Sequence, residues 1–524
     1  MKLLYRRLRN EAGFALPMAL VLLLLGGLII IPTLALMSTN LTATRMIEEK
    51  SSGFYAADAG MEDAIWKLKS GEDPFSESTS YVLGETINEM TITVEQWEEP
   101  EETEDGTLYT IKSTASLGGE TKGEVIAQAL VGSGDSSAFD NTAVSLNGDI
   151  TLKNNAKIYS DGGGEGDAYA NGNIKLYNNA SIDDDANATG TITTLNDSHI
   201  DGDSNPGAAP IDADALNSAM NELIDAWKAE TQDTGCGATM CGSYTYTGDW
   251  WTPDAGTYTD PQHAKKNMSI DEWSGTWIFQ DKVCVGVNTN KYAYIEGSPQ
   301  VTFQGPFKVG KDLYISGWGS TVTFEDIVCV GRHIYVEDGA TVEFQGKVQV
   351  GTDLKIMNSS DVTFGDTVYV GDDMTIKDSA EVDFGGTVYV IDNIIVENTA
   401  QVTGGQTIIA DDNIQLKDDS SIVYAGLDWA EDDIPYIIST TGNITLQNNN
   451  VTTAILYAPD GDGEDNGNIK LYNNSKLTGA AIGRTIYIKN NAEIEYPEAL
   501  RDRDDLPGGG GGEDGIQIQT YTIQ

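Results

Sequence analysis

The sequence predicts a mainly β chain with a long N-terminal α-helical stem, a small antiparallel β-meander and a parallel β-helix. The β-helix is expected to use about 20 residues and three short strands per coil, with a helical insertion. Three observations carry this. Residues 14–37 form an almost unbroken apolar run, three alternating runs lie between 84 and 132, and from about residue 140 the chain repeats with a 20-residue period.

The N-terminal segment comes first. Residues 1–13 carry Lys2, Arg6, Arg7 and Arg9 against Glu11, and no charged residue then appears until Arg45. As a helix, residues 14–37 would rise about 36 Å, enough to cross a bilayer. The basic flank predicts that the N-terminal end stays cytoplasmic and the rest is exported. A secretory signal has a shorter apolar core followed by a small-residue cleavage site. A plain membrane anchor is the other alternative that physics allows. Beyond Met37, the residues Ile47, Phe54, Ala57, Met61, Ile65 and Leu68 recur at spacings of three, four or seven. That is a helical stripe, so the stem is expected over 14–71.

The junction Gly13-Phe14 ahead of this run, the stretch Ala15-Leu-Pro-Met-Ala-Leu-Val-Leu-Leu-Leu-Leu and the later Phe54-Tyr-Ala-Ala-Asp-Ala-Gly-Met-Glu-Asp-Ala together resemble the type IV prepilins, PilX-type minor pilins above all. The resemblance covers roughly the first 70 residues. It implies a leader at 1–13, cleavage after Gly13 by a prepilin peptidase and methylation of Phe14. It also implies partners among other pilins or a pilus assembly machine. Major pilins carry Glu as the fifth mature residue, and here that position is Met18. The resemblance is therefore to a minor subunit.

The β module at 84–132 holds the runs beginning at Met90, Leu108 and Glu124, joined by acidic or Gly-rich connectors. A helix followed by such a meander is pilin-like. Gly132-Ser-Gly-Asp-Ser-Ser reads as a linker.

The repeat governs the rest. Val322, Val342, Val362, Val382 and Val402 share one column, and Phe324, Phe344, Phe364 and Phe384 the next. Paired columns such as Val328/Val330 and Ile334/Val336 supply two further strands per repeat. Alternation at period two turns these residues inward, and coils stacked about 4.8 Å apart satisfy the backbone. Bactofilins also use short Val-rich coils, so the β-helix is bactofilin-like or adhesin-like. Asn171-Gly-Asn-Ile-Lys-Leu-Tyr-Asn-Asn returns as Asn466-Gly-Asn-Ile-Lys-Leu-Tyr-Asn-Asn. First coils are accordingly expected at 140–203 and the main β-helix at 277–503, with paired asparagines in left-handed turns.

The insertion at 204–276 combines helical spacing (Leu216, Met220, Leu223, Ile224, Trp227) with Cys236 and Cys241 and an aromatic run, Tyr244, Tyr246, Trp250, Trp251 and Tyr258. Outside the cytoplasm the cysteine pair reads as a disulfide, Cys236 to Cys241, rather than a metal site, since no His or second pair lies nearby. Cys284 and Cys329 share an outward slot two coils apart, about 9–10 Å, and are expected as free thiols. The aromatics either pack the insertion down or contact a glycan or protein receptor. In the tail, 504–524, a Gly-rich spacer precedes a strand that either folds back on its own sheet or adds to a neighbour's edge.

A net charge of −50, from 81 acidic and 31 basic residues, excludes nucleic acid as a partner. The three histidines, His199, His263 and His333, form no catalytic pattern, and the Asp pairs sit at coil corners. Asp460-Gly-Asp-Gly-Glu-Asp has spaced hard oxygens but lacks an EF-hand's distal glutamate. No catalytic residue, metal site or cofactor is expected. The functional expectation is a noncatalytic protein of the cell surface or pilus, a minor pilin or pilus-associated adhesin, single-pass through 14–37. The alternative is a membrane-anchored polysaccharide lyase or glycosidase, whose paired carboxylates would face each other across a cleft.

Overall fold

The computed structural model describes residues 50–68, 74–131, 138–160, 166–241, 250–287, 291–429, 434–459, 466–507 and 516–523, save a few positions inside those spans, together with 37, 44 and 45. It divides into two compact units. The first joins residues 1–134 to 513–524, and the second is residues 135–512.

In the first unit the expected long helical stem over 14–71 is corrected. Among the described residues the continuous helical run there is 50–68, about 28 Å of helix, and it is not a projecting rod. Its stripe of Ala56, Ala57, Met61, Ala64 and Leu68 is buried against Ile92, Val94, Ile111, Ala115 and Val125 of the sheet. Gly53 and Gly123 permit the contact, since a Cβ added at Gly123 would lie 2.3 Å from the Gly53 carbonyl carbon. The helical period was legible, but a stripe that meets a sheet and a stripe along a rod have the same spacing. The apolar segment 14–37 lies outside the described residues except for Met37. No helix among the described residues is long and apolar enough to cross a membrane.

The sheet of this unit holds six strands: Ser80–Val82, Thr91–Gln96, Glu101–Thr103, Gly106–Leu117, Glu120–Val131 and Ile516–Ile523. The last pairs antiparallel with Glu120–Val131. The tail strand thus folds back on its own sheet, and in the sequence the second unit falls between two strands that pair in the first.

The second unit is a parallel β-solenoid of three sheets, each of fifteen strands. Its faces are called first, second and third after the coil Ala143–Ser145, Ile150–Lys153 and Lys157–Ser160. Fifteen strands stacked at about 4.8 Å extend it roughly 65–70 Å. The Val and Phe columns read from the sequence line its interior, where Phe279, Phe303, Phe324, Phe344, Phe364 and Phe384 stack with centroids 4.8–5.1 Å apart.

At the corner between the second and third faces, paired Asn, Asp, Ser or Thr residues take left-handed φ of about 55–61°. Their side chains form a ladder. Asn196 donates to Asn178, Asn178 to Asn154, Asn154 to Asn490, Asn490 to Asn473, Asn473 to Asn448 and Asn448 to Asp418, at 2.7–2.9 Å. An amide both donates and accepts, so it propagates the chain. A carboxylate only accepts, so Asp418 ends it.

Sequence order and spatial order differ. The last coil pairs in parallel register with the first: Ala481–Gly483 on Ala143–Ser145, Thr485–Lys489 on Ile150–Lys153, and Glu493–Tyr496 on Lys157–Ser160. Along the axis the solenoid therefore runs from Trp250 to Tyr496, crosses this seam, and continues from Ala143 to Pro206. It is a circularly permuted tube. Entry and exit meet at the seam, where the Tyr496 hydroxyl donates to the Phe139 carbonyl at 2.6 Å.

Permutation leaves the two far ends to be joined, and the insertion joins them. Helix Ala213–Gln232 is a strap laid along the outside of the first face. Its Leu216, Met220 and Ile224 are buried against Val144, Ile482, Tyr457, Ile438 and Ile409. Along it the contacts advance coil by coil. Asn217 accepts from Tyr457, Trp227 meets Tyr436 at 5.5 Å, Lys228 meets Asp411, and Lys347 donates to the Glu230 carbonyl.

Candidate functional site on the outer faces

Beyond the strap helix both insertion cysteines reach the first face. There the sequence-based pairing is corrected. Cys236 bonds Cys329 with Cα atoms 5.8 Å apart, and Cys241 bonds Cys284 at 6.1 Å. Cys236 and Cys241 do not pair with each other, and Cys284 and Cys329 are not free thiols. The slot assignment was sound: Lys308 stands between Cys284 and Cys329 in register. What the spacing could not show is that a strap crosses this slot and meets each outward thiol. Lys308 adds a third fastening, donating to the carbonyls of Cys236 and Gly237 at 2.9 and 3.1 Å. Burial pulls its ammonium below the usual lysine range.

The insertion aromatics that are described close the tube. Trp251 and Tyr258 lie against Phe279, at 5.7 and 4.9 Å, as the first rung of the interior stack. Tyr244 and Tyr246 lie outside the described residues, as do the processing residues Gly13 and Phe14 and the acidic loop 460–465.

The titratable groups are spread over strands and corners. His333 Nδ1 is 3.3 Å from Asp353, His199 is exposed 3.9 Å from Asp201, and His263 is buried in the first face. Asp411 accepts from the Tyr389 hydroxyl at 2.7 Å and pairs with Lys228, so it anchors the strap. Asp372, Asp373 and Asp392 bring carboxylate oxygens within 4.8 Å of one another, a donor set of the kind hard cations take. Burial and the neighbouring carboxylates Asp373, Asp412 and Asp372 hold Asp392 above the usual carboxylate range.

Among the described residues the strap does not reach the second face, which carries two aromatic patches. Near its strap-loop end Tyr294, Tyr314 and Tyr335 stack outside the sheet at 5.0 and 4.8 Å. Acids surround them. Burial and the Asp312 carboxylate push the Tyr314 hydroxyl up to about 12, and burial with Asp338 and Glu296 raises Glu337. Beside this stack Trp318, 71% exposed, rests its ring over Gly339, where a Cβ would lie 2.5 Å from it.

The other patch spans the seam. Outward positions from Ile414–Lys417 to Ile192–Leu195 bring Lys417, Lys470, Lys489, Lys153 and Lys175 together with Tyr472, Tyr487 and Tyr177. These strands contain no Asp or Glu. Lys417 pairs with Glu397 at 2.8 Å, and Lys175 with Asp149. Lys153 lies 5.2 Å from the Tyr177 ring and 5.3 Å from Tyr487, and Lys489 lies 5.0 Å from Tyr472. Sequence reasoning missed this patch, because half of it comes from 151–177 and half from 470–489, and only the seam unites them.

A family model described as a domain of unknown function, DUF7305, matches residues 335–503, about a third of the chain. It covers the coils from Tyr335 to the seam and stops short of both the strap and the coils beyond it. No curated protein and no solved structure matches the chain.

Proposed function

We propose that this is a noncatalytic display protein of the cell envelope, tethered through the apolar segment 14–37 and presenting an acidic solenoid outside the cytoplasm for adhesion. The observation that carries the reading is the pair of disulfides, which bind the strap to two coils. Such bonds form and persist in oxidising compartments. The basic cluster ahead of the apolar segment gives the same orientation. The outer faces supply aromatic and charged surfaces, while the corner carboxylates serve mostly as ladder partners and strap anchors. A pilus-associated adhesin is the finer form of this reading, supported by the Gly13-Phe14 resemblance, with a prepilin peptidase and other pilins as partners.

The test is thiol trapping and surface proteolysis in intact cells. The proposal expects no alkylatable thiol before reduction, and loss of the solenoid to external protease. Four reactive cysteines with protection until lysis would overturn it. Mass spectrometry of the mature N-terminus checks the finer form: methylated Phe14 supports it, and an intact leader contradicts it while leaving display standing.

A further inference from the structure

The seam patch is a local reversal of charge. The chain carries 81 acidic residues against 31 basic ones, yet no carboxylate occurs in the seven strands across the seam. Register places Lys489 directly beside Lys153 on adjacent parallel strands, with Lys470 one strand further on. Like charges facing across strands destabilise a sheet. Here Lys153, Lys470 and Lys489 meet no carboxylate within 4 Å among the described residues, and two of them rest on tyrosine rings instead. An arrangement that costs the free protein something is relieved by an anion laid over it.

The tyrosines say which kind. Tyr472, Tyr487 and Tyr177 alternate with the lysines on a half-buried surface, with the Tyr472 and Tyr487 rings edge to face at 5.6 Å. Each ring offers one face to the C–H face of a sugar residue, while the ammonium groups between the rings pair with its charge. A second copy of the chain, whose acids near Trp318 also lie beside rings, is the competing occupant, and self-association separates it from a glycan. We infer that the seam patch binds an extended anionic polysaccharide bearing carboxylates, lying along the solenoid axis across the strands. Display reading and patch are linked, since the glycan would be met outside the cell, but binding by the purified chain is measured independently of location.

The experiment uses the full chain in detergent against immobilised polygalacturonate, with neutral dextran and poly-L-glutamate as comparators. Polygalacturonate is expected to bind at low salt and weaken as salt rises. The double variant Lys153→Gln/Lys489→Gln should weaken binding about tenfold, in line with two solvent-exposed ion pairs. Lys153→Arg/Lys489→Arg should retain it, and Tyr487→Ala should weaken it a few-fold. Lys377→Gln, on the same face but away from the seam, should leave it unchanged, and an unaltered circular dichroism spectrum shows that the variants fold. Equal affinity for poly-L-glutamate, undiminished binding by the Lys→Gln pair, or no binding at all would overturn the inference. Salt-sensitive self-association abolished by that pair, without glycan binding, would assign the patch to another copy and overturn it too.

Discussion

The first and second faces of the solenoid are made from the same coils, yet their outward residues have opposite chemistry. On the first face Val144, Ile482, Ile438 and Ile409 point outward and are buried beneath the strap helix. On the second, the same coils present Thr151 and Lys153, Tyr487 and Lys489, Thr445 and Gln447, and Gln415 and Lys417 outward. Interior columns are alike on both faces and specify only that a tube forms. The outward column decides what each face meets, a segment of its own chain in one case and solvent in the other.

Breaking the covered face should cost most. Cys284→Ser with Cys329→Ser removes both disulfides, which close sequence separations of 43 and 93 residues. Chain entropy assigns roughly 4–5 kcal/mol to one such bond, and the two loops are nested, so the sum is not expected. Hydrogen exchange of the coils near Cys284 should read this loss. Met220→Ala, which opens a cavity under the strap, should cost about 2–4 kcal/mol by urea titration with the disulfides intact. At the exposed corner Asn473→Ala breaks the ladder and leaves a non-glycine residue at φ 55°, with an expected cost of about 1–2 kcal/mol. On the open face Lys377→Gln should stay within about 0.5 kcal/mol. If the covered-face and open-face variants cost alike, the contrast between the faces fails.

Acid sharpens the contrast further. Burial opposes the charge of Asp149, but hydrogen bonds from Lys175 and Asn173 outweigh it and hold the carboxyl below its usual range. A depressed acid stabilises above its unfolded value and loses that contribution as pH falls through its folded one. Asp392 is raised, so its ionised form costs stability at neutral pH and protonation relieves that cost. Lowering pH through the carboxylate range should therefore loosen the joint between the coil of Asp149 and the next coil at Asn173, and tighten the corner at Asp392. Amide exchange followed residue by residue checks both directions, and uniform change contradicts the assignment.

The residues explain how much of this was legible. Val322 to Val402 and Phe324 to Phe384 could be read because every coil there repeats at 20 residues. The related segments at 171–179 and 466–474 were recognisable as coils, but any parallel coil can stack on any other, so the seam was hidden. Its ladder spans separations of 17, 18, 24, 25 and 30 residues, because extra residues loop out elsewhere while the asparagine corner is kept. The disulfide partners of Cys236 and Cys241 were illegible for a related reason: they depend on where the strap crosses the face. The helix 50–68 was visible as a stripe, and the sheet that covers it was not.

The central claim is a permuted solenoid closed by a strap that two disulfides lock to the first face. Disulfide mapping tests it most directly, by proteolysis of the cell-derived protein without reduction and mass spectrometry of the linked peptides. The account predicts Cys236 joined to Cys329 and Cys241 joined to Cys284. A Cys236–Cys241 linkage, or four unlinked thiols, would contradict it.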